Sequence, residues 1–196
     1  GLARCQGAET VIRLPRTIQL DASDKVVFST SATPGEWAVP GTFLYWGRSP
    51  DDLTRKEAIA FRSGFLGVDS FGHSTLVTVQ EARPEEREEM VITLARQLVA
   101  HLGAPSLDAA RPAAEEEVAL AESLCRDHAL NTLIALHRKH DAGDIREQFR
   151  TLKPRDETAF SGSHLQGHDR AFQFFEETED TGPEDHVDIF NLRGKP

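Results

Sequence analysis

The sequence predicts an α+β fold, a mostly antiparallel sheet with a helical hairpin packed on one face. Three observations predict it. Residues 12–20 place Ile12, Leu14, Ile18 and Leu20 on one side by period-two alternation, as a half-buried strand does. Residues 84–102 and 112–128 repeat apolar residues at helical spacing, with only a short link through Gly103 and Pro105 between them, and two such helices pack as a hairpin on a sheet. Residues 131–153, folded back about Asp141-Ala142-Gly143-Asp144, sort into two sets of side chains. Ile134, Leu136, Ile145 and Phe149 share one face with an Arg138–Glu147 pair, and His137, Lys139, Arg146 and Arg150 share the other. A slip of one residue would scramble both sets, so the sorting fixes the register.

The remaining elements follow in order. Pro15 falls opposite the apolar face of the first strand, where its missing N–H suits a sheet edge. Arg16 has apolar parity and calls for a bulge or a partner. Residues 25–29, with Val26, Val27 and Phe28, read as a second strand. Pro34-Gly35 and Pro40-Gly41 mark turns, and residues 37–39 and 42–46 read as extended. Ser49-Pro50-Asp51-Asp52 announces a helix start, with a capping serine, a proline at the first position and two carboxylates at the positive end of the dipole. Gly64 ends that helix. Residues 65–68 and 75–79 read as strands joined through Gly72-His73. The helix 84–102 opens on Glu85 and Glu86, lines Val91, Leu94, Ala95, Leu98 and Leu102 along one face, and stops at Gly103.

Residues 1–153 read as the core domain and residues 154–196 as an acidic extension. The extension holds ten acidic and four basic residues, a net of −6 in a chain of formal charge −10. Within it 161–167 reads as a loop, 171–176 and 186–192 as short strands, and 178–185 as an acidic run. At 196 residues the chain has room for one domain plus an extension. Its acidity argues against general nucleic-acid binding, because a polyanion is repelled at long range. The longest uncharged runs are about 11 residues, short of the roughly 20 that a membrane helix needs. Residues 1–10 hold no apolar leader core. The two cysteines, Cys5 and Cys125, form no CxxC, and the expected compartment is a reducing cytoplasm.

Four segments, RTIQLDASD (16–24), PGEWAVPGTF (34–43), AFRSGFLGVDSFGHSTL (60–76) and FRTLKPR (149–155), together resemble a family of small bacterial proteins catalogued as a domain of unknown function. The resemblance spans roughly residues 11–155. It implies a single-domain protein and carries no catalytic residue, ligand or cofactor onto this chain.

Four groups of residues carry chemistry worth testing against a plain structural role. Asp69, Ser70 and His73 hold the residue types of a serine nucleophile, its base and an orienting acid. However, Gly67 stands one place too far from Ser70 for a G-x-S-x-G elbow, and all three residue types are common in turns. His164, His168 and His186, the last beside Asp185 and Asp188, could ligate zinc or a similar ion; no HExxH signature supports them, and surface histidines are the plain alternative. The strip His137, Lys139, Arg146 and Arg150 could hold carboxylates or phosphates, against the plain reading of a solvated sheet face. The acidic run 176–185 is its obvious intramolecular partner. The aromatic group Trp37, Phe43, Tyr45, Trp46, Phe61, Phe65 and Phe71 could line a ligand site or simply fill the core. No GxxxxGK[ST] or dinucleotide glycine pattern occurs, so no cofactor is expected.

The reading that follows is a cytoplasmic, non-catalytic interaction or accessory protein, binding a protein partner or a second copy of itself, with no nucleic acid or membrane involved. A small hydrolase using metal or Ser/His chemistry is one alternative, and a small-molecule binding module is another.

Overall fold

A computed structural model of the chain describes residues 11–20, 22–154 and the short strand 175–178. The architecture is α+β, with two antiparallel sheets rather than one. The larger sheet has five strands in the order β1-β5-β6-β7-β8: β1 (Ile12–Ile18), β5 (Leu76–Ala82), β6 (Leu133–Asp141), β7 (Asp144–Pro154) and β8 (Phe175–Thr178). The smaller one joins β2 (Ala38–Val39), β3 (Phe65–Gly67) and β4 (His73–Ser74) in that order.

Strand β1 lies at an edge of the large sheet. Thr17 sends its N–H outward to the Glu36 carbonyl at 2.8 Å and accepts from the Gly35 N–H at 2.9 Å. Pro15, two residues away, shares that outward orientation, so its absent N–H costs no ladder bond. Arg16 makes no bulge, since the pairing with β5 runs unbroken from Ile12 to Ile18. Instead its guanidinium stacks over Trp37, 3.9 Å from the ring centroid, and donates to the Gly35 carbonyl at 3.1 Å.

Helices α3 (Pro84–Leu102) and α4 (Leu107–Cys125) form the expected hairpin. Arg87 of α3 bridges Glu115 at 2.7 Å and Glu122 at 2.8 Å on α4. Met90, Val91, Leu94, Ala95 and Leu98 meet Ala110, Ala114, Val118 and Ala121 in one buried cluster with Leu14 of β1 and Val39 of β2. The small residues on α4 let the two helix backbones approach closely. A second cluster sets Cys125 against Val77, Val79, Ile134 and Leu136, and burial there pushes the Cys125 thiol up to about 12.

Four local expectations are corrected. Residues 25–29 are not a strand: helix α1 (Ser23–Val27) takes 25–27, and Phe28 is its extended C-cap. Asp24 accepts from the Thr75 hydroxyl at 2.9 Å, Val26 points outward, and only Phe28 enters the core, a pattern one helical turn satisfies. Residues 42–45 are not extended but form a 3₁₀ turn after Gly41, whose φ is 78°. That turn eclipses i and i+3 and so buries Thr42 and Tyr45 together. The helix expected from Ser49 to Gly64 is split. Ser49 and Asp52 cap a short 3₁₀ turn, and α2 (Arg55–Ser63) begins afresh with a Thr54–Glu57 capping box. Finally, α4 starts before Pro112, at a Ser106 cap whose Oγ accepts from the Ala109 N–H at 3.1 Å. Pro112 therefore lies inside the helix and removes one bond to the Asp108 carbonyl.

Candidate functional site

The ribbon β6–β7 has the register that the sequence predicts: Asp141 opposes Asp144, His140 opposes Ile145, Arg138 opposes Glu147 and Leu136 opposes Phe149. Its two faces are chemically opposite.

On the inner face the Arg138 and Glu147 side chains are both 0 % exposed, with Nε and Oε1 2.9 Å apart. The guanidinium is tied into two other segments, residues 40–42 and the end of α2. Nε also donates to the Thr42 hydroxyl at 2.8 Å. Nη1 donates to the Phe61 and Gly64 carbonyls at 3.0 and 3.1 Å, which lie at the C-terminal end of α2, where a cation suits the dipole. Nη2 donates to the Pro40 carbonyl. Thr42 in turn donates its hydroxyl proton to Glu147 Oε1. Charges this deeply buried persist only when paired and hydrogen-bonded. One carboxylate oxygen is left over, because Glu147 Oε2 is buried without a hydrogen-bond partner.

Three perturbed groups surround this centre. Glu117 on α4 accepts from the Gly41 N–H at 2.9 Å, and burial, with the Glu147 charge adding to it, pushes its carboxyl up to about 7. Burial pushes Tyr45 up to about 12 and His73 down to about 4, with the Arg138 charge acting on His73 in the same direction. The Tyr45 hydroxyl and His73 Nε2 lie 3.4 Å apart.

The structure does not bring Asp69, Ser70 and His73 into one hydrogen-bonded relay. Ser70 Oγ donates to Glu36 Oε1 and accepts from the Gly72 N–H, both at 3.0 Å. The Asp69 and Ser70 N–H groups also converge on Glu36 Oε1, at 3.1 and 3.0 Å. Glu36, a buried carboxylate, therefore builds the turn. A Cβ at Gly67 would stand 2.1 Å from its oxygen, which explains a glycine there. Gln97 of α3 clamps the same turn through the Val68 and Asp69 carbonyls at 3.1 and 2.8 Å. His73 faces away, toward Tyr45 and the Phe28 ring, 5.7 Å between centroids.

The outer face of the ribbon holds His137, Lys139, Arg146 and Arg150, all exposed. Arg146 makes a half-exposed ion pair with Asp141 at 2.5 Å. Partial burial first, then the charges of Arg150, Arg62 and Lys139, hold His137 below the usual imidazole value. Arg62, at the end of α2, thus acts on His137 from another element. His140, one residue beyond Lys139, belongs to the other side. It stacks on Phe61 at 4.3 Å, and its Nε2 lies 3.2 Å from the Arg48 carbonyl.

The signature of a family of unknown function (DUF6505) matches residues 12–167. The chain belongs to this family. No curated protein and no solved structure matches it. The stretch matched to DUF6505 contains both faces of the ribbon and ends before β8.

Of the other candidates, His164, His168 and His186 lie outside the described residues. Among the described residues no group of three or more His, Cys, Asp or Glu is placed to hold a metal ion, and no helix is long and apolar enough to cross a membrane. The aromatic group is largely absorbed by packing. Tyr45, Phe61 and Phe65 are buried, Trp37, Phe43 and Phe71 pack against the main core, and Trp46 is exposed.

Sequence reasoning located the Arg138–Glu147 pair but missed Thr42, Glu36, Glu117 and Arg62. Thr42 and Glu117 carry no local signal, because their partners lie 105 and 76 residues away. The signal for Glu36 was the Gly67–Gly72 segment, a turn rich in N–H groups that a buried carboxylate can collect.

Proposed function

We propose that this chain is a non-catalytic binding protein of the cytoplasm, and that the outer face of the β6–β7 ribbon takes an acidic segment of a partner protein. The supporting observation is the segregation of charge on one ribbon. His137, Lys139, Arg146 and Arg150 stand exposed together in a chain of formal charge −10, while the reverse face is fastened to the body through Arg138. A cationic face on a fixed backbone holds carboxylates without first having to order itself. The Arg146–Asp141 pair does not oppose this, because exposed pairs are worth little and exchange partners readily.

The test is fluorescence anisotropy of a labelled deca-glutamate peptide against the full chain and its Lys139→Glu/Arg146→Glu variant. Binding that weakens about tenfold on charge reversal, and fades as salt rises to about 0.5 M, supports the reading. Equal binding by the two proteins contradicts it.

A further inference from the structure

We propose that His137 makes the ribbon's hold on an acidic segment proton-dependent: its imidazole takes up a proton when a carboxylate docks beside it, so binding tightens as the solution becomes more acidic. This regulation rests on the binding reading above and acts at that same site.

The register places His137 in the middle of the cationic face. Lys139 follows two residues along β6, roughly 7 Å away. On β7 Gln148 lies directly opposite His137, with Arg146 two residues to one side and Arg150 two to the other. Such diagonal neighbours stand about 7–8 Å apart. Arg62 adds its charge from α2, which packs against β6. The carboxylates of Asp141 and Asp144 share the parity of this face but sit at the turn, four residues or more along the strands from His137 and Gln148, and Asp141 is paired with Arg146. A carboxylate docked between these cations therefore lies within a Debye length of the imidazole, about 10 Å at 0.1 M salt.

In the unliganded face, partial burial and then the charges of Arg150, Arg62 and Lys139 disfavour the imidazolium. A bound carboxylate is an opposite charge at close range and favours it. The coupling is reciprocal: a ligand that promotes protonation is bound better by the protonated face. The gain is present in full below the free imidazole's value and is lost as pH rises through the raised value of the complex. Lysine and arginine keep their charge throughout that range, so His137 is the member of the strip that titrates.

Titration of labelled deca-glutamate against the full chain and its His137→Gln variant, at constant salt from about pH 8 down to about pH 6, tests the linkage; the peptide's carboxylates stay ionised over that range. Imidazole NMR shifts of His137 with and without the peptide read the proton directly. The expected result is about fivefold tighter binding by the native chain at the acid end, a change of less than about twofold in the variant, and a His137 midpoint that moves up when peptide is bound. The same pH dependence in both proteins, or a His137 midpoint that saturating peptide leaves in place, overturns the linkage while the partner reading survives. Absence of peptide binding at every pH overturns the partner reading, and the linkage falls with it.

Discussion

The two faces of the β6–β7 ribbon share a backbone and a residue type, and they use arginine in opposite ways. Inside, Arg138 is spent entirely on the fold: Glu147, Thr42 and the carbonyls of Pro40, Phe61 and Gly64 take up its donors. Outside, Arg146 has one half-exposed carboxylate and otherwise faces solvent. The difference teaches that a charged residue read from sequence has no fixed role. Burial decides whether it is a tie or a contact, because desolvation makes an unsatisfied inner charge intolerable and leaves an outer charge weak but exchangeable.

The largest expected effect is at the inner face. Arg138→Met strands the Glu147 carboxylate and several carbonyls, and should cost about 3–5 kcal/mol in urea unfolding. Adding Glu147→Leu should recover part of that loss, since it removes the stranded charge while the carbonyls stay unsatisfied. A double variant no more stable than the single one would mean that Glu147 is not what Arg138 neutralises. Thr42→Val should cost about 1–2 kcal/mol by removing the hydroxyl that links the pair, and a neutral change would break the network into independent bonds.

The pH dependence of stability separates two groups around the inner face, Glu117 and His73. The Glu117 carboxyl is raised from 4.5 to about 7 in the fold, so its contribution is present below the unfolded value and is lost as pH rises toward 7. His73 is lowered from 6.5 to about 4, so the unfolded chain takes up the proton first and stability is lost as pH falls from 6.5 toward 4. Between about 4.5 and 6.5 the two slopes oppose each other. Glu117→Gln should unmask a stability that rises with pH across that window, and His73→Asn one that falls. Chemical denaturation at several pH values reads both, and two variants with the same slope would contradict the assignment.

The sequence made the ribbon legible because strand pairing is a local rule. Once Gly143 marks the turn, parity alone sorts the rest, and a lone Arg–Glu pair among Ile134, Leu136, Ile145 and Phe149 points to a buried ion pair. The helix 84–102 was equally legible from its proline, carboxylate and glycine signals. Residues 25–29 and 42–46 were not, because β-branched and aromatic residues favour strands only when a neighbouring strand is there to pair with. Among the described residues neither stretch belongs to a strand, and Asp24 and Gly41 shape the backbone instead. The start of α4 was misplaced for a related reason: Pro112 resembles a first-turn proline, and the true cap at Ser106 lies before a run of ordinary alanines. The candidate site was half legible. The outer strip reads from parity, but the Arg62 charge that acts on His137 comes from another element, and no spacing rule reveals that.

The smallest expected effect on stability lies on the outer face, so a matched pair of substitutions separates the two faces. Arg138→Met and Arg146→Met make the same chemical change on opposite sides of one ribbon, and each protein is followed by urea unfolding and by deca-glutamate titration. Arg138→Met should lose about 3–5 kcal/mol of stability. Arg146→Met should change stability by less than about 0.5 kcal/mol while weakening the peptide complex severalfold. Two variants equally destabilised, or an Arg146→Met chain that binds the peptide as the native one does, would contradict that separation.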